Sequence, residues 1–148
     1  MTASRPIKAL LRARSGVSAL EFAIVAPALL MLGLGVLEYG RLTWTIQALT
    51  SVATKGARCM AVQATQCASA GIYNATSTKT FIESLAGTWL VSIPDTAVTL
   101  NRAATCAGVA GFSQVTISST FQTVLPLTMT SLTTSVPVKT QACFPNQS

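Results

Sequence analysis

From Val17 to Leu37 the chain runs twenty-one residues with one ionisable side chain, Glu21, and the last sixteen of these, Phe22 to Leu37, have none. At about 1.5 Å of rise per residue, a helix of that length reaches roughly 31 Å, enough for the hydrocarbon core of a bilayer. A secretory signal has a shorter apolar region, closed on its far side by small residues at a cleavage site. Here the far side is Glu38, Tyr39, Gly40 and Arg41. The stretch therefore reads as a retained transmembrane helix, with any processing on its near side.

Orientation follows from the basic residues. Arg5, Lys8, Arg12 and Arg14 precede the span with no acidic residue among them, and the positive-inside bias places such an N-terminus in the cytoplasm. The rest of the chain is then exported. Cys59, Cys67, Cys106 and Cys143 all lie beyond the span, and an even number in an exported domain reads as disulfides. Zinc is the competing reading, but the chain has no histidine and no Cys-x-x-Cys knuckle, so no metal is expected.

The formal charge of +6 would point toward nucleic acid if it were spread over a folded surface. Four of the ten basic residues sit in the leader, and without residues 1–16 six Lys and Arg face four Asp and Glu, a net +2. A basic-patch argument for nucleic acid fails on that count. What remains beyond the span is enough for one small domain, without an internal repeat.

Glu21 needs a reason. An ionisable group at the start of an apolar span costs free energy unless a partner or the interface satisfies it. From its position alone, a hydrated carboxylate at headgroup depth and a functional carboxylate are equal readings.

The order Arg14, Ser15, Gly16, Val17, Ser18, Ala19, Leu20, Glu21, Phe22 resembles a type IV prepilin processing site: a basic leader, glycine before the cut and glutamate at the fifth mature position. The resemblance implies cleavage between Gly16 and Val17 by a membrane prepilin peptidase. The new ammonium at Val17 would pair with a carboxylate such as Glu21 on a neighbouring chain, neutralising both charges in lipid and setting a one-turn stagger.

The longer pattern of Gly16, Glu21, Phe22, Ala23, Pro27, a leucine-rich run, Glu38 to Arg41, Gln47, Ala48, Gly56, Ala57 and Arg58 resembles the TadE family of pseudopilins, which accompany the Tad or Flp tight-adherence pilus machinery. The likeness is close over residues 14–62. A weaker echo continues in Val115 to Phe121, Pro126 and Cys143 to Pro145. Major Flp pilins are much shorter and usually carry tyrosine where this chain has Phe22, which points to a minor or accessory subunit. The resemblance implies a low-copy subunit or assembly factor of a Tad/Flp adhesion pilus. Its partners would be the inner membrane, the peptidase, other pilins and the assembly platform.

The expected organisation is a cytoplasmic leader at 1–16, a long helix at 17–62 whose first part, 17–40, is transmembrane, and an exported α+β domain at 63–148. Pro27 removes a backbone donor and crowds the carbonyl of Ala23, so a kink is expected there. It reads either as an ordinary kinked span or as a weak point that lets the helix stretch on leaving the bilayer. Beyond the span, Leu42, Ile46, Leu49, Ala53, Gly56 and Met60 recur at spacings of three and four, so the helix continues as an amphipathic rod.

Gln63 to Ser77 reads as a loop. Thr80 and Glu83 match a capping box for a short helix with Phe81, Leu85 and Trp89 on one face, closed by Pro94. Alternation predicts strands over 96–101, 114–121 and 133–142, with Pro137 marking the third as an edge. In an antiparallel meander the end of the first strand, the start of the second and the end of the third share one edge of the sheet, which makes Cys106 and Cys143 neighbours. Cys59 and Cys67 then pair, but only if the helix ends near 60–63, because a continuous helix would hold them about 12 Å apart. Three connectivities are possible in principle.

Nothing in the sequence assembles chemistry. There is no histidine, and Glu38, Glu83 and Asp95 are each isolated in sequence. No nucleophile elbow or glycine-rich phosphate loop is present. The chain reads as a non-enzyme without a cofactor or small-molecule substrate. Two other classes stay open: a type II secretion pseudopilin, and an uncleaved single-pass anchor carrying a periplasmic binding module.

Overall fold

A computed structural model describes residues 15–123 and 135–147, with side chains from Ser18 onward. Residues 1–14 of the leader, Pro126 and the first two residues of the third expected strand lie outside the described residues. The chain divides into two units, Met1–Tyr39 and Gly40–Ser148. A single helix assignment, α1 (Ser15–Ala61), runs through both, with Pro27 inside it.

The first unit is an apolar helical segment. Its large hydrophobic side chains, among them Leu20, Phe22, Ile24, Leu29, Met31, Val36 and Leu37, are all exposed. In water each forgoes about 1.5–3 kcal/mol of burial, so the segment needs another apolar phase. It is the one helix among the described residues long and apolar enough to cross a membrane.

The second unit builds a core on the outer half of α1. Leu49, Val52, Ala53, Ala57 and Met60 are buried, and Leu42 packs against them. Ile46, expected on this stripe, is instead exposed. Val52 and Ala57, which flank the three-and-four stripe on its two sides, are also buried, so the covered face is broader than that spacing alone conveyed.

α1 stops at Ala61 because the chain turns left-handed at Gln63, where φ is +51°. The N–H of Ala64 then donates to the carbonyl of Cys59 at 3.1 Å. A six-to-one bond of this kind marks a Schellman end and satisfies an otherwise orphaned helix carbonyl. The reversal brings Cys67 back, and it forms a disulfide with Cys59 across a Cα separation of 5.9 Å.

The stretch expected as a loop contains a two-stranded hairpin, β1 (Ala68–Ser69) and β2 (Ile72–Tyr73), closed by Ala70 and Gly71 at positive φ. α2 (Ala75–Thr88) follows at once. Its N-cap is Asn74, whose side chain accepts from the N–H of Ser77 at 3.0 Å. The capping box at Thr80 and Glu83 is therefore overturned, since both residues lie inside α2. An Asn at the helix start leaves its carboxamide free to take an orphan donor, and this outcompetes the later threonine. The inward face also differs by one position. Thr78, Ile82 and Ala86 are buried, while Phe81, Leu85 and Trp89 are only partly covered.

After a 3₁₀ turn (Asp95–Ala97) come β3 (Val98–Cys106), β4 (Val109–Gln122) and β5 (Ser135–Pro145). They form an antiparallel meander in the order β3-β4-β5. All three strands extend beyond the expected limits, and Ala107 with Gly108, both at positive φ, closes the first hairpin tightly. Pro137 lies opposite Thr120 on β5, an edge strand, where a missing donor disturbs no second ladder. Gln114 is paired with Cys143 in register, and Cys143 bonds Cys106 across a Cα separation of 6.6 Å. Val98, Val115, Ile117, Phe121 and Val138 complete the core with α1 and α2. The protein is thus α+β, a long N-terminal helix followed by small antiparallel sheets and two disulfides.

Candidate processing and assembly segment

Gly16 and Val17 lie in the first turn of α1, whose assignment begins at Ser15. The first four N–H groups of a helix have no intrahelical acceptor, so a peptide bond at this place opens more easily than one further in. Val17 and Glu21 are four residues apart, one helical turn. Glu21 and Phe22 are both exposed, Phe22 at 71%. Gly16, Val17, Glu21, Phe22 and Pro27 thus form one contiguous helical segment, and no fold of the second unit is needed to bring them together.

The cysteines, in contrast, are brought together by the fold. Cys59 and Cys67 close the end of α1, while Cys106 and Cys143 staple β3 to β5 across β4. Close by, the N–H of Asn146 donates to the carbonyl of Gly111 at 2.9 Å, and its carboxamide donates to the carbonyl of Arg102 at 2.8 Å. Ser113 donates to the same carboxamide oxygen. Gln147 then donates to the carbonyl of Ala61 at 3.4 Å. The C-terminal residues so tie the end of α1 to the β3–β4 hairpin. Sequence reasoning missed this latch, because a lone Asn beyond the last strand carries no periodic signal.

Two electrostatic environments stand out in the second unit. The Arg102 guanidinium lies 4.9 Å from the centre of the Tyr73 ring. Burial pushes the Tyr73 hydroxyl above its ordinary value, and the nearby cation works in the opposite direction. On α2, a hydrogen bond to Asp95 raises the pKa of Glu83, with burial and the Asp95 charge adding to the effect and Lys79 opposing it. Glu83 and Asp95, isolated in sequence, are therefore neighbours in space. The Lys79 ammonium also donates to the Asp95 carbonyl at 3.2 Å. No trio of His, Cys, Asp or Glu among the described residues is placed to hold a metal ion.

Residues 16–58 match the family model described as TadE-like protein. The match starts at the glycine of the candidate cleavage site, takes in Glu21 and the apolar span, and ends just before Cys59. It is the family that the sequence resembles. No curated protein and no solved structure gives a significant match.

Proposed function

We propose that this chain, TadE-like over residues 16–58, is a minor pilin or pseudopilin of a Tad/Flp pilus. On this reading it enters the inner membrane with its N-terminus in the cytoplasm, and a prepilin peptidase cuts it between Gly16 and Val17. It then serves at low copy in the pilus, or in starting its assembly, for adhesion. The second unit faces outward and meets other pilins or a surface by binding, not by catalysis.

The observation that carries the reading is the coincidence of the family match with a physically sufficient span. The match opens at Gly16, and the same stretch is an exposed apolar helix that water does not solvate well. An accessory role fits a second unit that has its own core and two disulfides, a bulkier cargo than a short fibre-forming pilin carries.

The deciding experiment is intact mass and N-terminal sequencing of the membrane-extracted protein, with and without a Gly16 substitution. A mature N-terminus at Val17 that disappears in the variant supports the pilin reading. A retained leader that is indifferent to Gly16 leaves an uncleaved membrane anchor for a periplasmic domain.

A further inference from the structure

α2 ends in the same motif as α1. Leu90 takes a φ of +59°, its N–H bonds the carbonyl of Gly87 at 3.0 Å, and the N–H of Val91 bonds that of Ala86 at 3.1 Å. The left-handed position of such an end usually holds glycine, because a Cβ is disfavoured there. The hydrophobic contact that often accompanies the motif belongs to the next residue, and Val91 supplies it by packing on the core. Leu90 has no such part and is 96% exposed. The equivalent position after α1 is the polar Gln63. A leucine at this place breaks two local preferences at once, backbone conformation and burial, and such exceptions concentrate at functional places.

Leu90, Val91 and Ser92 form a ridge that lines a groove on each side. One groove, of about 450 Å³, is completed by Glu83, Gly87 and Ile93. On that side Glu83 and its neighbour Asp95 outnumber Lys79. The other groove, of about 360 Å³, is completed by Arg41, Thr45, Phe121 and Val138 among others, and the Arg41 guanidinium lies 5.4 Å from the Phe121 ring centre. The ridge therefore parts an acidic wall from a basic one. Just before it, Trp89 packs against Trp44 with ring centres 5.4 Å apart, and Trp44 is 57% exposed. All of these residues belong to the second unit, so the surface does not depend on where the apolar segment lies.

A ridge set beside a groove, with opposite charges on its two sides, is complementary to itself. A twofold axis between the ridge and the Arg41 groove carries each ridge into the groove of the other copy, and the Glu83 wall of each toward Arg41 of the other. Opposite charges that meet across an interface fix its register and exclude wrong partners. Tryptophan and arginine are enriched among the side chains that carry most of the energy of such contacts. An apolar partner of another kind would account for Leu90, but not for the opposed charges that flank it.

We propose that the ridge at Leu90 is a self-association site: in a pair of copies, Leu90 of each chain enters the groove between Arg41 and Phe121 of the other, with Glu83 facing Arg41 across the contact. The inference goes beyond the pilin reading and depends neither on cleavage nor on entry into a fibre.

In the test, Leu90 of the full chain is replaced by photoreactive p-benzoylphenylalanine. A second version carries it in place of Val109, which is exposed at the start of β4, the opposite end of that strand from Phe121. Copies with light and heavy nitrogen are mixed in mild detergent and irradiated, and the dimer band is digested for mass spectrometry. Arg41→Glu and Glu83→Arg are then made in separate chains, each with the photoreactive residue at 90. Either change alone puts like charges across the contact, whereas a mixture of the two chains restores opposite charges at both points.

The expected dimer yield from position 90 is several-fold higher than from position 109, with mixed-isotope peptides that join 90 to the stretch around Phe121 or Arg41. Each charge variant alone should lower the yield several-fold, and mixing the two should return it. Circular dichroism establishes that each variant is folded. The comparison of 90 with 109 needs neither variant, so it stands even where a charge change prevents folding. Equal yields from 90 and 109, or no mixed-isotope link from 90, mean that the chains meet elsewhere, as through the apolar segment, and overturn the proposal. A mixture no better than its components overturns it as well. So does crosslinking from position 90, in membranes of the producing cell, to a different protein in place of a second copy.

Discussion

Gly56 of α1 lies so close under Ile82 of α2 that a Cβ at position 56 would stand 2.8 Å from both Cδ1 and Cγ1 of the isoleucine. Ile82 is fully buried, and Val115 of β4 closes the site at 3.6 Å. The glycine sets how near the two helices approach, and it lies inside the stretch matched by the TadE-like model. The matched segment thus contributes both the span and a packing position of the second unit.

Gly56→Ala should destabilise the second unit. Alanine gains about 1 kcal/mol of helix propensity over glycine, but overpacking a closed core costs about 1–3 kcal/mol. Full burial leaves Ile82 little space to yield, which makes the second effect larger, so a net loss on the order of 1 kcal/mol is expected for Gly56→Ala and more for Gly56→Val. Ile82→Val should relieve part of it. Thermal unfolding of the four proteins of that cycle, followed by circular dichroism in detergent, measures the coupling. Strictly additive effects would mean that the contact does not limit the helix spacing.

Thr140→Val should stabilise the same core. Thr140 is 8% exposed on β5, and its hydroxyl has no hydrogen-bond partner. Burying an unpaired hydroxyl costs about 1–3 kcal/mol, and valine keeps nearly the same shape without it. A rise in unfolding midpoint in denaturant, with an unchanged slope, is the expected outcome. A fall would show that the hydroxyl makes a bond in solution.

Much of this architecture can be read from the residues because it rests on apolar periodicity, which is a local signal. The span, the outer half of α1 and the three strands each carry a run of correctly spaced hydrophobics, and Pro137 marked its strand as an edge. What could not be read depends on one residue or on distant ones. Asn74 caps α2 through a single carboxamide, β1 and β2 are two residues each, and the carboxyl pair joins Glu83 to an Asp95 outside its helix. Ile46 carried the right spacing and was still exposed, because burial at a position on the stripe is set by what packs on it. At the membrane end the candidate site needed no tertiary structure, since Gly16 to Phe22 is contiguous. The cysteine pairing could be worked out only because strand order and the end of α1 constrain it together.

The Glu83 and Asp95 pair gives the second unit a pH dependence of defined sign. Glu83 has a raised pKa in the folded protein, so the native state holds that proton more tightly than the unfolded chain does. Stability should therefore increase as pH falls through the raised folded value toward the ordinary one, and this increment is lost as pH rises through the folded value. Glu83→Gln keeps a donor toward Asp95 without the charge. It should be more stable than the parent at neutral pH and should lack the increment. Melting profiles of both proteins across the mildly acidic range check this, and parallel profiles would remove Glu83 as the source.

The two disulfides should differ in weight. Cys106 and Cys143 close a loop with a sequence separation of 37, Cys59 and Cys67 one of 8. Chain-entropy estimates for loops of those sizes are about 4 and about 2.6 kcal/mol. Replacing Cys106 and Cys143 together by serine should lower stability more than replacing Cys59 and Cys67. The smaller loss should concentrate at the end of α1, where hydrogen exchange near Met60 and Ala61 would rise. Equal losses, with no local difference in exchange, would contradict this division.

Glu21→Ala tests the assembly role where stability has little say. Glu21 is exposed at the start of a stretch, Phe22 to Leu37, whose large side chains are apolar and exposed, so its loss removes no packing within the chain. It also removes a group whose transfer toward the bilayer centre is unfavourable by about 2.5–3.5 kcal/mol on insertion scales, so insertion should be unchanged or improved. If the carboxylate pairs with the ammonium of a neighbouring chain, the variant should insert and be cut after Gly16 yet fail to enter or start a pilus. Glu21→Asp, with the same charge on a shorter arm, should restore part of the function. Fractionation, N-terminal sequencing and counting of surface pili separate these steps. Pili in normal number from the alanine variant would leave Glu21 as a hydrated residue at headgroup depth.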